Sequence, residues 1–348
     1  MKLGSPRLVA IACVSLLIGC ESDSTLRSGG DSDATGGDAT VGTDTGPGTD
    51  TGPGTDTGPG TDPGPGGDPT RTPWPMGTTM VLSGHSLTDT VMSHPWPGRL
   101  TEAVMLDPAG DFSQLKKATI PGSFIRWRWN NPEPDTDQSA QWPEEMGRYQ
   151  GLVITTAVPL YADDRTRQTD QVDWLQRAVD DAWANGNGGS GAPTLLFTTW
   201  TQLEANPSEP HPEDGLPFRE RLNRDEPRWE AMQDFVNDNR PAGQAPLYLI
   251  PGHRLMMRIV DDIAAGTAPF GSIEEIFEDD IHPNDIGNYA LALLHYACIY
   301  GRDPAGYLPN TLADSDTLSP TQAEYFKRIV AEIVTSYART GLTSLDAG

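Results

Sequence analysis

The chain has 348 residues, with 24 Lys+Arg against 49 Asp+Glu, for a net charge of −25. A surface this acidic repels phosphate backbones and argues against nucleic-acid binding. No apolar run reaches the ~20 residues of a membrane helix, and three cysteines, one of them inside an apolar leader, cannot build a disulfide framework.

The chain opens with a short basic segment, Lys2 and Arg7, followed by an apolar stretch from Leu8 to Ile18. That is the pattern of a secretory signal. It ends in Leu17-Ile18-Gly19-Cys20, which resembles a bacterial lipobox. The resemblance implies removal of residues 1–19 and a lipid on Cys20. Glu21, not Asp, follows the cysteine, which resembles an outer-membrane sorting signal in Gram-negative lipoproteins. The expected location is therefore the bacterial cell envelope, with membrane contact through the anchor alone.

Residues 20–72 read as a tether. Gly-Thr-Asp-Thr-Gly-Pro repeats at 42–47, 48–53 and 54–59 and varies to Gly-Thr-Asp-Pro-Gly-Pro at 60–65. Such a segment has no apolar area to offset the entropy of ordering. Gly and Pro oppose helix and sheet, and the regular Asp keeps the chain extended. Asp44, Asp50, Asp56 and Asp62 are too widely spaced for a calcium loop, which needs clustered oxygens at short spacing.

Residues 73–348 hold most of the apolar side chains and suffice for one sizeable core. Strands are expected at 79–83, 118–120, 151–156, 194–199 and 246–250. They are apolar on both faces, as in a buried parallel sheet. Helices are expected at 170–183, 227–239, 253–265 and 285–300. A last helix opens at Ser319-Pro320, an N-cap followed by Pro at the first position. Alternating strands and helices predict a three-layer α/β/α sandwich with a central parallel sheet of about five strands. In such sheets the site lies at the carboxyl ends of the strands. The polar, proline-broken stretch 204–230 reads as a surface insertion, either a flap or a plain loop.

After the first strand comes Ser83-Gly84-His85-Ser86-Leu87. Gly84 permits a tight strand-to-helix turn on which Ser86 can present its hydroxyl and its N–H together. Far downstream lies Asp279-Asp280-Ile281-His282-Pro283. An Asp three residues before a His can fold back on the imidazole, fix its tautomer and leave the other nitrogen free to take a hydroxyl proton. Asp280 is the rival to Asp279 for that role.

Gly84-His85-Ser86-Leu87 and Asp279-Asp280-Ile281-His282-Pro283 together resemble the nucleophile and Asp-x-x-His blocks of the SGNH (GDSL-type) hydrolases. The resemblance covers most of residues 78–301. It implies a flavodoxin-like α/β/α fold and ester hydrolysis through an acyl-enzyme, with Ser86 as nucleophile, His282 as base and Asp279 as orienting acid. It further implies an oxyanion hole made by the N–H groups of Ser86 and Gly122, the latter in Ile120-Pro121-Gly122-Ser123. The sequence departs from the family in two places. His85 replaces the usual Asp. The Gly-x-Asn block expected at the end of the third strand is absent, and Ile154-Thr155-Thr156 stands there instead, where a Thr hydroxyl could substitute for the amide.

Trp127 and Trp129 lie among Arg126, Arg128, Asn130 and Asn131; Trp142 follows, and Trp200 ends the fourth strand. Tryptophans with polar neighbours suit flat hydroxylated ligands, and buried core tryptophans fit the same pattern. His85, His94, His253 and His282 match no compact zinc spacing, and no cofactor or metal is implied. Cys298 sits in an apolar helix and reads as a buried small hydrophobe. The expected activity is a surface-tethered serine esterase acting on an acylated carbohydrate, acetyl esters foremost. The alternatives are a lipase or thioesterase of the same fold and a non-catalytic carbohydrate-binding lipoprotein.

Overall fold

The structure, a computed structural model, describes residues 70–93, 99–111, 115–131, 146–156, 158, 160, 165–204, 213, 215–310 and 318–348. The expected leader, Cys20, nearly all of the tether, His94 and Trp142 lie outside the described residues.

Five strands form one parallel sheet: β1 (Met80–Gly84), β2 (Leu115–Thr119), β3 (Gly151–Ile154), β4 (Thr194–Thr198) and β5 (Tyr248–Pro251). Their order is β2-β1-β3-β4-β5, and every neighbouring pair is parallel. Helices cover both faces: α1 (Ser86–Ser93), α2 (Arg99–Leu106), α3 (Ile125–Asn130), α4 (Arg165–Gly189), α5 (Phe218–Asn239), α6 (Gly252–Ala264), α7 (Asp285–Tyr300), α8 (Pro304–Tyr307) and α9 (Pro320–Ser336). This is a three-layer α/β/α sandwich with a flavodoxin-like strand order.

β1, β3, β4 and β5 are buried along their whole length, which explains their continuous apolar runs. The core divides on the two sheet faces. Met80, Leu82, Phe197 and Ile250 meet α2, α6, α7 and α9 on one side. Val81, Ile154, Leu196 and Leu249 meet α4 and α5 on the other, through Leu175, Trp229 and Met232. The alternation along each strand assigns successive side chains to opposite layers.

Two expectations shift. β2 runs from Leu115 to Thr119, three residues earlier than expected, and carries Lys116 and Lys117. It is an edge strand, where lysines are tolerated and discourage further strand pairing. Residues 218–230 of the stretch 204–230 are helical: α5 begins at Phe218 and continues through Pro227. Leu222, Trp229, Met232 and Val236 are buried at helical spacing, and that packing outweighs the backbone hydrogen bond Pro227 cannot make.

At the amino ends of the strands the Trp74 N–H bonds the Ile299 carbonyl at 2.9 Å, and the Trp74 ring lies over Gly151 at the start of β3. Arg71 lies two residues before the expected start of the domain, yet it is anchored there. Its N–H donates to the Gly341 carbonyl at 2.8 Å, its Nε donates to the Thr340 carbonyl at 2.8 Å, and its guanidinium lies 5.8 Å from the Tyr248 ring.

Candidate active site

The strand order changes direction between β1 and β3, so a crevice opens at their carboxyl ends. Ser86 sits there, as the first residue of α1, immediately after the turn that ends β1. Gly84 makes the turn possible. A Cβ at Gly84 would lie 2.0 Å from Thr88 Oγ1 and 2.6 Å from Thr88 Cβ, so only glycine lets the first turn of α1 fold back over the strand end. Asp89 fixes the other side of that turn: its Oδ1 accepts from Lys117 Nζ at 2.6 Å and from Thr119 Oγ1 at 2.8 Å, tying α1 to β2.

His85 is buried and stitches the turn to β3. Its Nδ1 accepts the Leu87 N–H at 3.3 Å, so the ring proton lies on Nε2, which donates to the Thr156 carbonyl at 2.9 Å. Burial above all, then the nearby Arg128 guanidinium and His282, against the Thr156 bond, push its pKa down to about 4. His85 is thus a neutral structural ring and not a free ligand-binding group.

The downstream loop is closed as a small hairpin. The Glu278 N–H bonds the His282 carbonyl at 2.8 Å, the Asn284 N–H bonds the Ile276 carbonyl at 3.0 Å, and Phe277 bridges Pro283. Asn284 then caps α7, its side chain accepting from the N–H groups of Ile286 and Gly287. Within this loop Asp279 Oδ2 lies 2.8 Å from His282 Nδ1. Asp279 Oδ1 accepts the N–H groups of Ile281 at 2.8 Å and His282 at 2.7 Å. Partial burial opposes ionisation, but these N–H groups and the imidazole outweigh it and hold the Asp279 carboxyl below the usual carboxylate range. Asp280 faces elsewhere: its Oδ1 accepts the Glu204 N–H at 2.7 Å and its carbonyl accepts the Leu203 N–H at 2.7 Å. Asp279, not Asp280, touches the ring. Ser86 Oγ and His282 Nε2 are not hydrogen-bonded to each other; such contacts are often long before substrate binds.

Gly122 occupies the third position of the turn Ile120–Ser123, with φ 72° and the Ser123 N–H bonded to the Ile120 carbonyl at 3.1 Å. Pro121 then Gly122 is the pairing that a type II turn requires. The turn follows β2 at the same end of the sheet as Ser86. Both threonines that follow β3 have engaged hydroxyls. Thr155 Oγ1 donates to the Thr156 carbonyl at 3.3 Å, and Thr156 Oγ1 donates to Gln171 Oε1. A Thr hydroxyl would have to turn away from its present acceptor to substitute for the missing amide.

The tryptophans separate into two kinds. Trp127 is half-buried on α3. Trp129 is also half-buried, with its ring centroid 5.9 Å from that of Trp174. Trp200 is 0% exposed, which corrects its expected role as a ligand platform. Its Nε1 donates to the Ile281 carbonyl at 2.9 Å, so it braces the Asp279–His282 loop from beneath. Cys298 is a free, fully buried thiol whose pKa burial pushes up to about 12, as a core residue should be. Among the described residues no group of His, Cys, Asp or Glu is arranged to hold a metal ion, and no helix is long and apolar enough to cross a membrane.

Two residues have roles that the sequence reading missed. Trp200 is one. Arg128 is the other: it is 0% exposed and reaches β1, β3 and the turn after β2. Nothing in the spacing marks it: an arginine three residues after Ile125 reads as a polar position of α3, and the structure shows that the two share one buried face.

No family model matches the chain, and no curated protein matches it. Among solved structures, a DUF4886 family protein from Bacteroides uniformis ATCC 8492 aligns with TM-score 0.50 and 11% identity, over 73% of this chain and 93% of that one. A protein described as a GDSL-like lipase, from Parabacteroides merdae ATCC 43184, aligns with TM-score 0.39 and 15% identity, over 63% and 94% of the two chains. At these identities the likeness is one of fold.

Proposed function

We propose that the protein is a serine ester hydrolase whose nucleophile is Ser86. The observation that carries this reading is the Asp279–His282 pair, 2.8 Å apart, on a braced loop at the strand ends where α1 presents Ser86. Ser86 Oγ attacks the ester carbonyl carbon as His282 Nε2 takes its proton. The C–O bond to the alcohol breaks, and the alcohol leaves with that proton. Water then attacks the acyl-enzyme, again giving a proton to His282, and the acid departs as Ser86 recovers its hydrogen. Asp279 holds the ring with Nδ1–H toward itself and steadies the imidazolium. The N–H groups of Ser86 and Gly122 receive the oxyanion.

An acylated carbohydrate, acetyl esters foremost, is the proposed substrate class. Trp127 and Phe124 support it: both flank the Gly122 turn, and Phe124 is 41% exposed. Attachment to the cell envelope through Cys20 is part of the same proposal and is tested by loss of membrane partition in Cys20→Ala. A binding lipoprotein is the second reading, favoured by the engaged Thr155 and Thr156 hydroxyls.

The deciding experiment is turnover of 4-nitrophenyl acetate, butyrate and octanoate, then of acetylated polysaccharide, by the full-length protein beside Ser86→Ala. Ser86-dependent turnover that falls with chain length is expected. A preference for octanoate would move the assignment to a lipase. Carbohydrate affinity that survives Ser86→Ala, with no turnover of any ester, would establish the binding protein.

A further inference from the structure

Arg128 is a fully buried arginine, and among the described residues no carboxylate is one of its hydrogen-bond partners. Its Nε donates to Ser83 Oγ at 3.1 Å, on β1. One terminal nitrogen donates to the Ser123 carbonyl at 3.0 Å and to Ser123 Oγ at 3.1 Å, in the turn after β2. The other donates to the Thr155 carbonyl at 2.6 Å, at the end of β3. Other arginines of this protein meet carboxylates: Arg228 meets Glu213 and Asp225, Arg302 meets Asp107, and Arg339 meets Asp234.

A desolvated cation with only neutral acceptors is costly to fold around. Its charge is also unneutralised in a low-dielectric setting, so its field reaches the surrounding loops with little screening. The acceptors show where that field falls. Ser83 lies three residues before Ser86, and Ser123 lies one residue after Gly122. The same cation depresses the pKa of His85, the residue adjoining the nucleophile. Desolvation alone pushes the guanidinium itself down to about 9, so it remains charged at neutral pH.

We propose that Arg128 is a positioning residue of the esterase: it clamps the ends of β1, β2 and β3 so that the N–H groups of Ser86 and Gly122 converge on the oxyanion, and its unneutralised charge favours the negative charge that forms there. This rests on the esterase reading above. The clamp holds the two donor-bearing turns from behind, while the charge acts only once the oxyanion develops. Its effect should therefore fall on kcat and leave KM nearly unchanged.

The test compares wild type, Arg128→Lys and Arg128→Met on 4-nitrophenyl acetate, with Ser86→Ala as background and thermal melting as the measure of folding. Arg128→Met is expected to lower kcat about 30–100-fold with KM within about threefold, and Arg128→Lys to recover at least about tenfold of that loss. If Arg128→Met does not fold, Ser83→Ala keeps the cation and removes its bond to β1, and Ser123→Ala keeps the cation and removes one of its two bonds to the turn after β2. Each is then expected to lower kcat about 3–10-fold. A folded Arg128→Met with kcat within about twofold of wild type would overturn the proposal, as would equal losses in the Lys and Met variants, or unchanged kcat in both serine variants. Absence of Ser86-dependent turnover in the wild type itself would instead overturn the esterase reading, and this proposal with it.

Discussion

The indole Nε1 of Trp200 donates to the carbonyl of Ile281 at 2.9 Å. Trp200 follows the end of β4, and Ile281 immediately precedes the candidate base. A rigid buried ring therefore carries the position of the central sheet to a loop that is otherwise 30–55% exposed at His282 and Asp279. The Trp200 ring is itself held edge-on by Phe197 and Phe277. Trp200→Phe removes the hydrogen bond and part of the ring. It should cost about 2–3 kcal/mol of stability and about 3–10-fold in kcat, since small misplacements of a base weigh on the rate. Thermal melts and turnover of 4-nitrophenyl acetate measure the two effects separately.

Asp279 and Asp280 are neighbours with different work. Asp279→Asn loses the charge that steadies the imidazolium and favours the wrong ring tautomer, so kcat should fall on the order of 10³–10⁴. Asp280→Asn keeps an oxygen for the Glu204 N–H and should leave kcat within about threefold of wild type. If the two variants lose activity equally, Asp279 is not the orienting acid.

Gly84→Ala places a methyl group 2.0 Å from Thr88 Oγ1. The first turn of α1 must shift, at a cost of about 1–3 kcal/mol, and Ser86 moves with it. Activity should therefore fall further than the melting temperature alone explains. Wild-type activity in the folded variant would show that the close approach over Gly84 is not required.

His85 and His295 are fully buried, and burial holds both near pKa 4 in the folded protein, below the ordinary histidine value of 6.5. The unfolded chain takes up these protons first as pH falls. Stability is therefore present above about pH 6.5 and is lost between about pH 6.5 and 4. His295 packs edge-on against Phe197 at 4.4 Å between ring centroids, and its Nε2 has no hydrogen-bond partner among the described residues. His295→Phe should flatten the dependence of melting temperature on pH across that window. An unchanged slope would mean that His295 is not held neutral by burial.

The sequence made the sheet legible because β1, β3, β4 and β5 are buried on both faces and read as uninterrupted apolar runs. β2 slipped because an edge strand does not need that pattern, and Lys116 and Lys117 broke it. α5 was partly hidden by Pro227, whose local effect is overruled by the packing of Trp229 and Met232. The Asp279–His282 contact was legible because it is local, three residues apart in one loop. Ser86 could be placed at a strand end for the same reason. The roles of Trp200 and Arg128 were not legible: one acts on a loop 81 residues away, the other on β1 and β3, and neither distance leaves a spacing in the sequence.

Arg71 is fastened to Thr340, Gly341 and the ring of Tyr248, and Trp74 to Ile299 and Gly151, all at the amino ends of the strands. Ser86, Gly122 and His282 stand at the carboxyl ends. The chain thus joins its domain at the pole opposite the crevice. A pull on the chain at Arg71 is borne by the back of the sheet and not by the loops that carry Ser86, Gly122 and His282.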